Sequence, residues 1–182
     1  STDLQEIGQP IKTAFEEFNK KYNRKLKLEI EPGTFLVANT ASLVCKVQDI
    51  GKTNQNTFLK LNTGMTEILR PSLYGAQHPI VIVSQSTESK TEEYVVVGHC
   101  CESGDLITPE PNQTEVLARR SLTKAQIGDL CVIEGVGAYC ASMSAKNYNS
   151  FPEVAEVLRN GENKFDLIRK RQTLDQMLQN EV

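Results

Sequence analysis

Seven short β-rich runs divide most of this chain, and they constrain its fold more than any other feature of the sequence. The runs follow Gly33 and are separated by Gly, Asn, Pro and Ser: SLVCKVQDIG, NTFLKLNTG, PIVIVSQ, EEYVVVGHC, TEVLARRSL, DLCVIEGVG and EVAEVLRNG. Closely spaced runs of this composition are typical of a β-sandwich or β-barrel. The sequence therefore predicts a mainly β domain over residues 34–182, ending in a short helix at TLDQMLQNE with Thr173 as its N-cap.

The first 33 residues follow a different pattern. Apolar residues recur at helical spacing in DLQEIGQPIKTAFEEFNKKY, at Leu4, Ile7, Ile11, Phe15 and Phe18. This spacing predicts an amphipathic helix over residues 3–22. In KLKLEIEPG, apolar residues alternate with charged ones, which predicts a strand that ends at Pro-Gly. A helix, a short loop and a strand that ends in Gly together resemble one unit of a larger α/β domain.

Composition and charge narrow the class of protein. The 182 residues carry a formal net charge of −3, so the chain has no bulk attraction for nucleic acid or anionic membranes. Trp is absent and aromatic residues make up only 6%, which disfavours a base-stacking surface. No apolar run approaches the roughly 20 residues that a membrane-spanning helix needs, and STDLQEIGQPIKTAF lacks the features of a signal peptide. We therefore expect a cytoplasmic protein whose partners include neither nucleic acid nor a membrane.

The cysteines do not predict a disulfide framework or a metal site. There are five, an odd number without the spacing of paired cysteines, so we expect them to be reduced. His99, Cys100 and Cys101 are consecutive. Neighbouring side chains on an extended chain point in opposite directions, so these three cannot converge on one ion. We predict no metal ligands in this chain.

The stretch VVVGHCCESGDLI, residues 95–107, places thiols and carboxylates side by side where a predicted strand ends. From these residues alone, the simpler interpretation is structural: one cysteine faces the core as a small apolar group, and a polar turn follows at Gly104. The alternative is a functional cluster. The residues of this stretch do not decide between the two, and the rest of the chain is needed.

Four segments of the chain resemble one enzyme family. They are EPGTFLVANTASLVCKV (31–47), LRPSLYGAQHPI (69–80), GHCCESGD (98–105) and GVGAYCASMSAKNYNSFPEVAEVL (135–158). In this order they are similar to the diaminopimelate decarboxylases, which are pyridoxal-phosphate-dependent decarboxylases of the alanine-racemase type. The resemblance extends from about Leu26 to the C-terminal helix, and CESGD is its most specific motif.

This resemblance implies an architecture and a reaction. Members of the family have an N-terminal (β/α)8 barrel that carries pyridoxal phosphate and a C-terminal β domain, and they form homodimers with the active site at the subunit interface. Residues 1–33 would be the last helix and strand of the barrel, and residues 34–182 the β domain. The Schiff-base lysine would lie upstream, so we expect the chain alone to be inactive. The reaction converts meso-2,6-diaminopimelate to L-lysine and CO2.

The resemblance also assigns roles to residues of the CESGD motif. Once CO2 has left, the substrate carbon must be protonated by a positioned acid. By its place in the motif, Cys101 would be that acid and would reach the active site of the other subunit. Glu102 would bind the distal ammonium group of the substrate. Ser103 and Asp105 would fix the turn, and Cys100 would face the core.

Further site residues are implied in the other three segments. Glu31, Gly33 and Tyr139 would contact the cofactor, with Gly33 letting the backbone approach the phosphate closely; without the resemblance, Gly33 reads as a turn residue. Arg70 and Tyr74 would hold the distal carboxylate of the substrate, for which a two-pronged guanidinium is well suited. The neighbouring His78 reads as structural.

The chain departs from the family pattern at two places. Most members have Arg after Glu-Pro-Gly, where this chain has Thr34, and an Arg-rich stretch where this chain has Phe-Pro-Glu-Val at 151–154. Diaminopimelate remains the expected substrate because Arg70, Tyr74 and Glu102 are present. The alternatives are a D-ornithine or D-lysine decarboxylase of the same fold, a non-catalytic homologue that regulates a decarboxylase, and a β-barrel binding module.

Overall fold

One long helix, α1 (Leu4–Tyr22), accounts for most of the first of two compact units, Ser1–Pro32 and Gly33–Val182. The structure, a computed structural model, describes residues 3–84 and 90–182. Asp3 caps the start of α1 by accepting hydrogen bonds from two backbone N–H groups, and Asn23 ends the helix in a left-handed conformation. The predicted helix over residues 3–22 is confirmed. No helix in the described residues is long and apolar enough to cross a bilayer.

The strand predicted at KLKLEIEPG is not formed, since residues 24–32 belong to no helix or strand. The alternation itself is present: Lys27 and Glu29, two residues apart, form an ion pair at 3.1 Å. However, a strand requires a hydrogen-bonded neighbour, and none of the described strands pairs with this segment. Leu26, Leu28 and Ile30 are consequently exposed.

The described part of the second unit is mainly β, as predicted. Its strands are β1 (Ser42–Lys52), β2 (Thr57–Leu61), β3 (Ile80–Val83), β4 (Thr91–Val97), β5 (Pro109–Glu110), β6 (Gln113–Leu117), β7 (Arg120–Thr123), β8 (Leu130–Glu134), β9 (Glu156–Arg159) and β10 (Phe165–Arg169). Each of the seven predicted runs contains a strand, and TEVLARRSL contributes to two. The short strand β5 and the strand β10 were not predicted.

Six strands form one sheet in the order β3-β8-β1-β2-β4-β7. Its neighbouring strands are antiparallel except for β2 and β4, which are parallel. The end strands β3 and β7 also contact each other, so the sheet is a nearly closed barrel. β5 pairs with β6, and β9 pairs with β10, as two separate two-stranded sheets.

The described residues of the second unit also form three short helices: α2 (Gly33–Val37), α3 (Arg70–Tyr74) and α4 (Leu174–Met177). Thr173 caps α4, and its side chain and that of Gln176 each accept a hydrogen bond from the other residue's backbone N–H. The predicted cap is therefore confirmed. Two 3-10 turns lie at Ala38–Thr40 and Tyr148–Ser150.

Alternating side chains of the six-stranded sheet fill the barrel. In β1, Cys45 and Val47 face inward while Val44 faces solvent, as a period of two requires. The buried cluster also includes Leu59, Leu61, Ile68, Ile82, Tyr94, Val96, Ile107, Leu122, Cys131, Ile133 and Cys140. This core holds the strand ends, and so the loops that follow them, at fixed positions.

The parallel pairing of β2 and β4 brings two loops together. The register pairs Lys60 with Val97, the last residue of β4. Because parallel strands run in the same direction, their carboxyl ends meet at one edge of the sheet. The loop over residues 62–69 after β2 therefore adjoins the loop over residues 98–105 after β4.

Gly137 is required where the segment after β8 crosses the 3-10 turn at Ala38–Thr40. Its N–H donates to the carbonyl of Ala38 at 2.9 Å, and a Cβ there would overlap the carbonyl oxygen of Val37. Backbone cannot move aside as a flexible side chain can. We expect Gly137→Ala to lower the free energy of unfolding by about 1–3 kcal/mol, as overpacking does. Chemical denaturation measures this.

The control is Gly51→Ala in β1, where the new Cβ would lie 3.5 Å from the flexible Lys60 side chain. This variant should unfold within about 1 kcal/mol of the wild type, since glycine is itself unfavourable in a strand interior. Equal losses for the two variants would show that contact with the Val37 carbonyl does not restrict residue 137.

Candidate functional site

Asp105 joins the two loops at the carboxyl ends of β2 and β4. Its carboxylate is buried and accepts hydrogen bonds from the N–H of Met65 at 2.7 Å and the N–H of Cys100 at 2.9 Å. Gly64 and Gly98 lie against it, and a Cβ at either position would overlap the carboxylate. Burial raises the pKa of Asp105, and the two N–H groups oppose that rise. This residue, predicted to fix the turn, lies where it can do so.

Glu67 is a second buried carboxylate in the loop after β2. Its Oε2 atom accepts hydrogen bonds from the hydroxyls of Thr63 and Thr66, each at 2.7 Å, and from the N–H of Gly64 at 3.2 Å. Three donors on one oxygen replace the water that the carboxylate loses on burial. The loop over residues 62–69 is therefore a hydrogen-bonded unit with little freedom.

His99 contacts this unit from the neighbouring loop. Its Nε2 lies 2.8 Å from the Thr66 hydroxyl oxygen and 3.9 Å from Glu67 Oε2. Because the Thr66 hydroxyl donates its only proton to Glu67, Nε2 of His99 must be the donor in its bond to Thr66. Burial lowers the pKa of His99, although the Glu67 and Asp105 carboxylates oppose this. On its ring face His99 stacks on Phe151, with centroids 3.6 Å apart and planes 8° apart.

The two adjacent cysteines of the site differ in exposure. Cys101, the predicted acid, is exposed, and its N–H donates to the side-chain oxygen of Asn149 at 2.7 Å. Cys100 is half-buried, and burial together with the Asp105 carboxylate raises its pKa to about 12. Of the two thiols, Cys101 is the one available to an external group.

Glu102 is exposed beside Cys101 and is held in place by its own loop and by Tyr148. Its Oε1 accepts from the N–H of Gly104 at 2.9 Å, and its Oε2 accepts from the Tyr148 hydroxyl at 3.2 Å. These hydrogen bonds, the Gly104 N–H first, lower the pKa of Glu102. The residue predicted to bind a substrate ammonium group is thus an oriented carboxylate open to solvent.

Arg70 and Tyr74, the predicted carboxylate ligands, occupy the two ends of α3 and lie four residues apart, so they share one face of the helix. Tyr74 is exposed, and Arg70 is half-buried. The Arg70 charge opposes the rise that burial causes in the pKa of Cys140 and adds to the lowering that burial causes for His78. Arg70 therefore lies near the segment that contains the predicted cofactor contact Tyr139.

Within the described residues, no hydrogen bond or ion pair joins Arg70 or Tyr74 to Cys101 or Glu102. Cys101 and Glu102 lie in the loop over residues 98–105, and Arg70 and Tyr74 lie on α3.

The three predicted cofactor ligands lie in different settings. Glu31 belongs to the extended segment of the first unit. Gly33 begins α2 in the second unit, and apart from its chain neighbours and the helix backbone no described atom lies within 4 Å of the position that a Cβ would take. Tyr139 has a left-handed backbone with φ of 55° and an exposed ring, while its neighbours Ala138 and Cys140 are buried.

Sequence analysis assigned no role to Tyr148, Asn149 and Phe151, which contact the loop over residues 98–105 (the CESGD loop). The stretch KNYNSFP does carry a signal for a turn, because Asn and Ser are frequent in turns and Asn tolerates a left-handed backbone. Asn147, Asn149 and Ser150 all have positive φ. The pattern indicates a tight turn, but it does not indicate which loop the turn contacts.

Comparison with known proteins identifies related sequences. Residues 22–137 match the family described as "Pyridoxal-dependent decarboxylase, C-terminal sheet domain". A diaminopimelate decarboxylase of Buchnera aphidicola subsp. Baizongia pistaciae is 42% identical over 164 residues, which cover 88% of this chain and 38% of the relative. The diaminopimelate decarboxylase of Escherichia coli K12 is 38% identical over 170 residues, 91% of this chain and 39% of the relative.

Solved structures of diaminopimelate decarboxylases are also similar to this chain. A crystal structure of diaminopimelate decarboxylase matches with a TM-score of 0.80 and 34% identity, over 98% of this chain and 42% of that protein. The Helicobacter pylori diaminopimelate decarboxylase complexed with L-lysine matches with a TM-score of 0.67 and 34% identity, over 82% of this chain and 34% of that protein. The chain spans about two fifths of the length of these relatives.

The fit of Asp105 between two glycines can be tested at Gly98. A methyl group in Gly98→Ala would push the carboxylate away from the Cys100 N–H and leave buried polar groups unpaired. We expect a loss of about 1–3 kcal/mol in the free energy of unfolding. Gly104→Ala in the same loop is the matched control, because its Cβ would lie 3.5 Å from the nearest atom, in ordinary contact. If the two variants were equally stable, close packing around Asp105 would not be what requires glycine.

Proposed function

This chain belongs to the pyridoxal-dependent decarboxylase family, and we propose that it forms the C-terminal β domain of a diaminopimelate decarboxylase. The protein that contains it would convert meso-2,6-diaminopimelate to L-lysine and CO2. The observation that carries this proposal is the 42% identity, across 88% of the chain, to a relative named as that enzyme. The chain matches only 38% of that relative, so the activity belongs to the proposal.

The two proposed domains of the enzyme meet at the boundary predicted from the sequence, between residues 33 and 34. Residues 1–33 would come from the end of a (β/α)8 barrel, whose neighbouring strands would be needed for residues 24–32 to form a strand, and residues 34–182 would be the β domain. Pyridoxal phosphate, held by a lysine of the barrel, supplies the electron sink for decarboxylation. The enzyme is proposed to act in the cytoplasm.

The residues of the second unit suit contact with such a cofactor. Gly33 has open space where a side chain would project, which leaves room for a phosphate to approach the backbone closely. Tyr139 keeps a costly left-handed backbone that holds its ring in solvent between two buried neighbours. We infer that Gly33 approaches the phosphate and that Tyr139 contacts the phosphate or the ring. The same role for Glu31 remains a prediction.

Cys101 and Glu102 are proposed to act on the substrate. The Cys101 thiol would deliver a proton to the carbon that has lost CO2, and the Glu102 carboxylate would bind the distal ammonium group. Both side chains are exposed in this chain, so the groups that enclose them must come from elsewhere. We propose that they reach into the active site of a second subunit in a homodimer.

Arg70 and Tyr74 are proposed to bind the distal carboxylate of diaminopimelate. A guanidinium pairs with a carboxylate through two parallel hydrogen bonds, and the tyrosine hydroxyl adds a third donor. Their common face on α3 allows both to meet one ligand. Thr34 at the place of a further expected Arg is the feature that makes the substrate worth testing directly.

The function is tested by CO2 release from the pyridoxal-phosphate-loaded protein that contains this chain. We expect turnover of meso-diaminopimelate, with little from D-lysine or D-ornithine, because those molecules lack the distal carboxylate that Arg70 and Tyr74 would bind. Release from the D-diamino acids alone would replace the proposed substrate. No release from any of the three would favour a non-catalytic homologue.

The role of Cys101 is tested by Cys101→Ala in the same loaded protein. We expect the turnover number to fall about 10²–10⁴-fold, the usual contribution of general acid catalysis, while the absorbance of bound cofactor is unchanged. Cys100→Ala is the matched control because it removes the adjacent half-buried thiol and retains the backbone N–H that Asp105 binds. Undiminished turnover in Cys101→Ala would remove Cys101 from the acid role.

A further inference from the structure

Three contacts join the segment over residues 148–151 to the CESGD loop, and they occur in reverse order along the two segments. Phe151 stacks on His99, Asn149 accepts from the N–H of Cys101, and Tyr148 donates to Glu102. The two segments therefore lie antiparallel, side by side. Of the three contacts, two reach the residues proposed to act on the substrate, and the third is the stack at His99.

His99 also has an anchor on its other side. Its side chain is only 10% exposed, and Nε2 donates to Thr66, whose hydroxyl donates to the buried Glu67. The edge of the imidazole is thus fixed to the loop after β2, while its face supports Phe151. His99 therefore contacts two segments. It contacts the hydrogen-bonded loop over residues 62–69 through Thr66, and residues 148–151 through Phe151.

The supported segment is a turn with left-handed backbone at three positions. Asn147, Asn149 and Ser150 have φ values of 58°, 50° and 61°, which asparagine tolerates and serine adopts less readily. Local hydrogen bonds shape the turn, from the N–H of Ser150 to the Asn147 carbonyl and from the Asn147 amide to the Phe151 carbonyl. Two contacts fix it against the rest of the chain: the bond from the Asn147 amide to the side chain of Gln172, and the His99 stack.

We propose that His99 is a positioning residue for Cys101 and Glu102. Its ring holds Phe151, and so keeps Asn149 and Tyr148 where they fix the Cys101 backbone and the Glu102 carboxylate. The consequence for catalysis rests on the proposed function, whereas the structural effect on Cys101 does not. His99 itself lies between a buried loop and Phe151, so it acts through these neighbours and not on the substrate.

The first test measures hydrogen exchange of the Cys101 amide by NMR on this 182-residue chain. In His99→Gln and in Phe151→Leu, the Asn149 acceptor should be free to move away. We expect the Cys101 amide to exchange about fivefold faster, the factor that one hydrogen bond typically contributes. Amides of the core strands β1 and β8, such as those of Val47 and Cys131, should keep their wild-type protection.

The matched control is Phe165→Leu, which removes the same ring from an exposed position in β10. It should leave the Cys101 amide unchanged. Phe151 is only half-buried, so its variant keeps the test available even if His99→Gln fails to fold. Equal acceleration at Cys101 and in the core strands would indicate general destabilisation and overturn the proposal, as would an unchanged Cys101 amide in a folded Phe151→Leu.

The second test measures kinetics of the pyridoxal-phosphate-loaded protein that contains this chain. Both variants should lower the turnover number for diaminopimelate because Cys101 is displaced, and they should raise KM to a smaller extent because Glu102 is displaced while Arg70 and Tyr74 are untouched. A change in KM alone would contradict a role in positioning Cys101. If the wild-type protein releases no CO2, the proposed function fails while the exchange result for Cys101 still decides the role of His99.

Discussion

The site depends on the carboxylate of Asp105. It joins the loops that follow β2 and β4 by accepting hydrogen bonds from the N–H groups of Met65 and Cys100. The carboxylate fits between these loops only because Gly64 and Gly98 have no side chain. Once Cys100 is held by its N–H, its thiol is half-buried beside Asp105 and the next residue turns outward. The outward position of Cys101 is thus a consequence of how Asp105 is buried.

The carboxylates of the site divide into two buried groups, which lose their contact with water, and one exposed group, which does not. Glu67 and Asp105 are buried, and their burial is tolerable because neighbouring hydroxyl and N–H groups replace lost water. Their burial makes them inaccessible to a ligand. Glu102 is exposed and remains free to bind a cation, although Gly104 and Tyr148 orient it. The buried carboxylates therefore build the scaffold, and the exposed one is available for recognition.

Local sequence patterns predicted many of the helices and strands, whereas contacts between segments that are distant in the sequence were not predicted. The β-rich runs, α1 and the Thr173 cap follow from periodicity and capping rules within a few residues. The strand predicted in KLKLEIEPG is not formed, because a strand needs a hydrogen-bonded partner that a local pattern does not supply. The roles of His99 and Asn149 were missed because they arise only when the fold joins residues such as Cys101 and Asn149, separated by 48 positions. The family resemblance assigned roles to Cys101 and Glu102 and included residues 148–151 in its fourth segment, but it gave residues 148–151 no role.

The exposure of Cys101 and Glu102 bears on how a complete site must be built. A thiol that protonates carbon has to be shielded from water, since otherwise solvent competes for the reactive centre. In this chain both side chains face outward, and their supports lie behind them in the loop after β2 and in residues 148–151. Such an arrangement fixes the geometry of the two groups before anything covers them. Under the proposed function, association with a second subunit would then supply the enclosure without having to create the geometry.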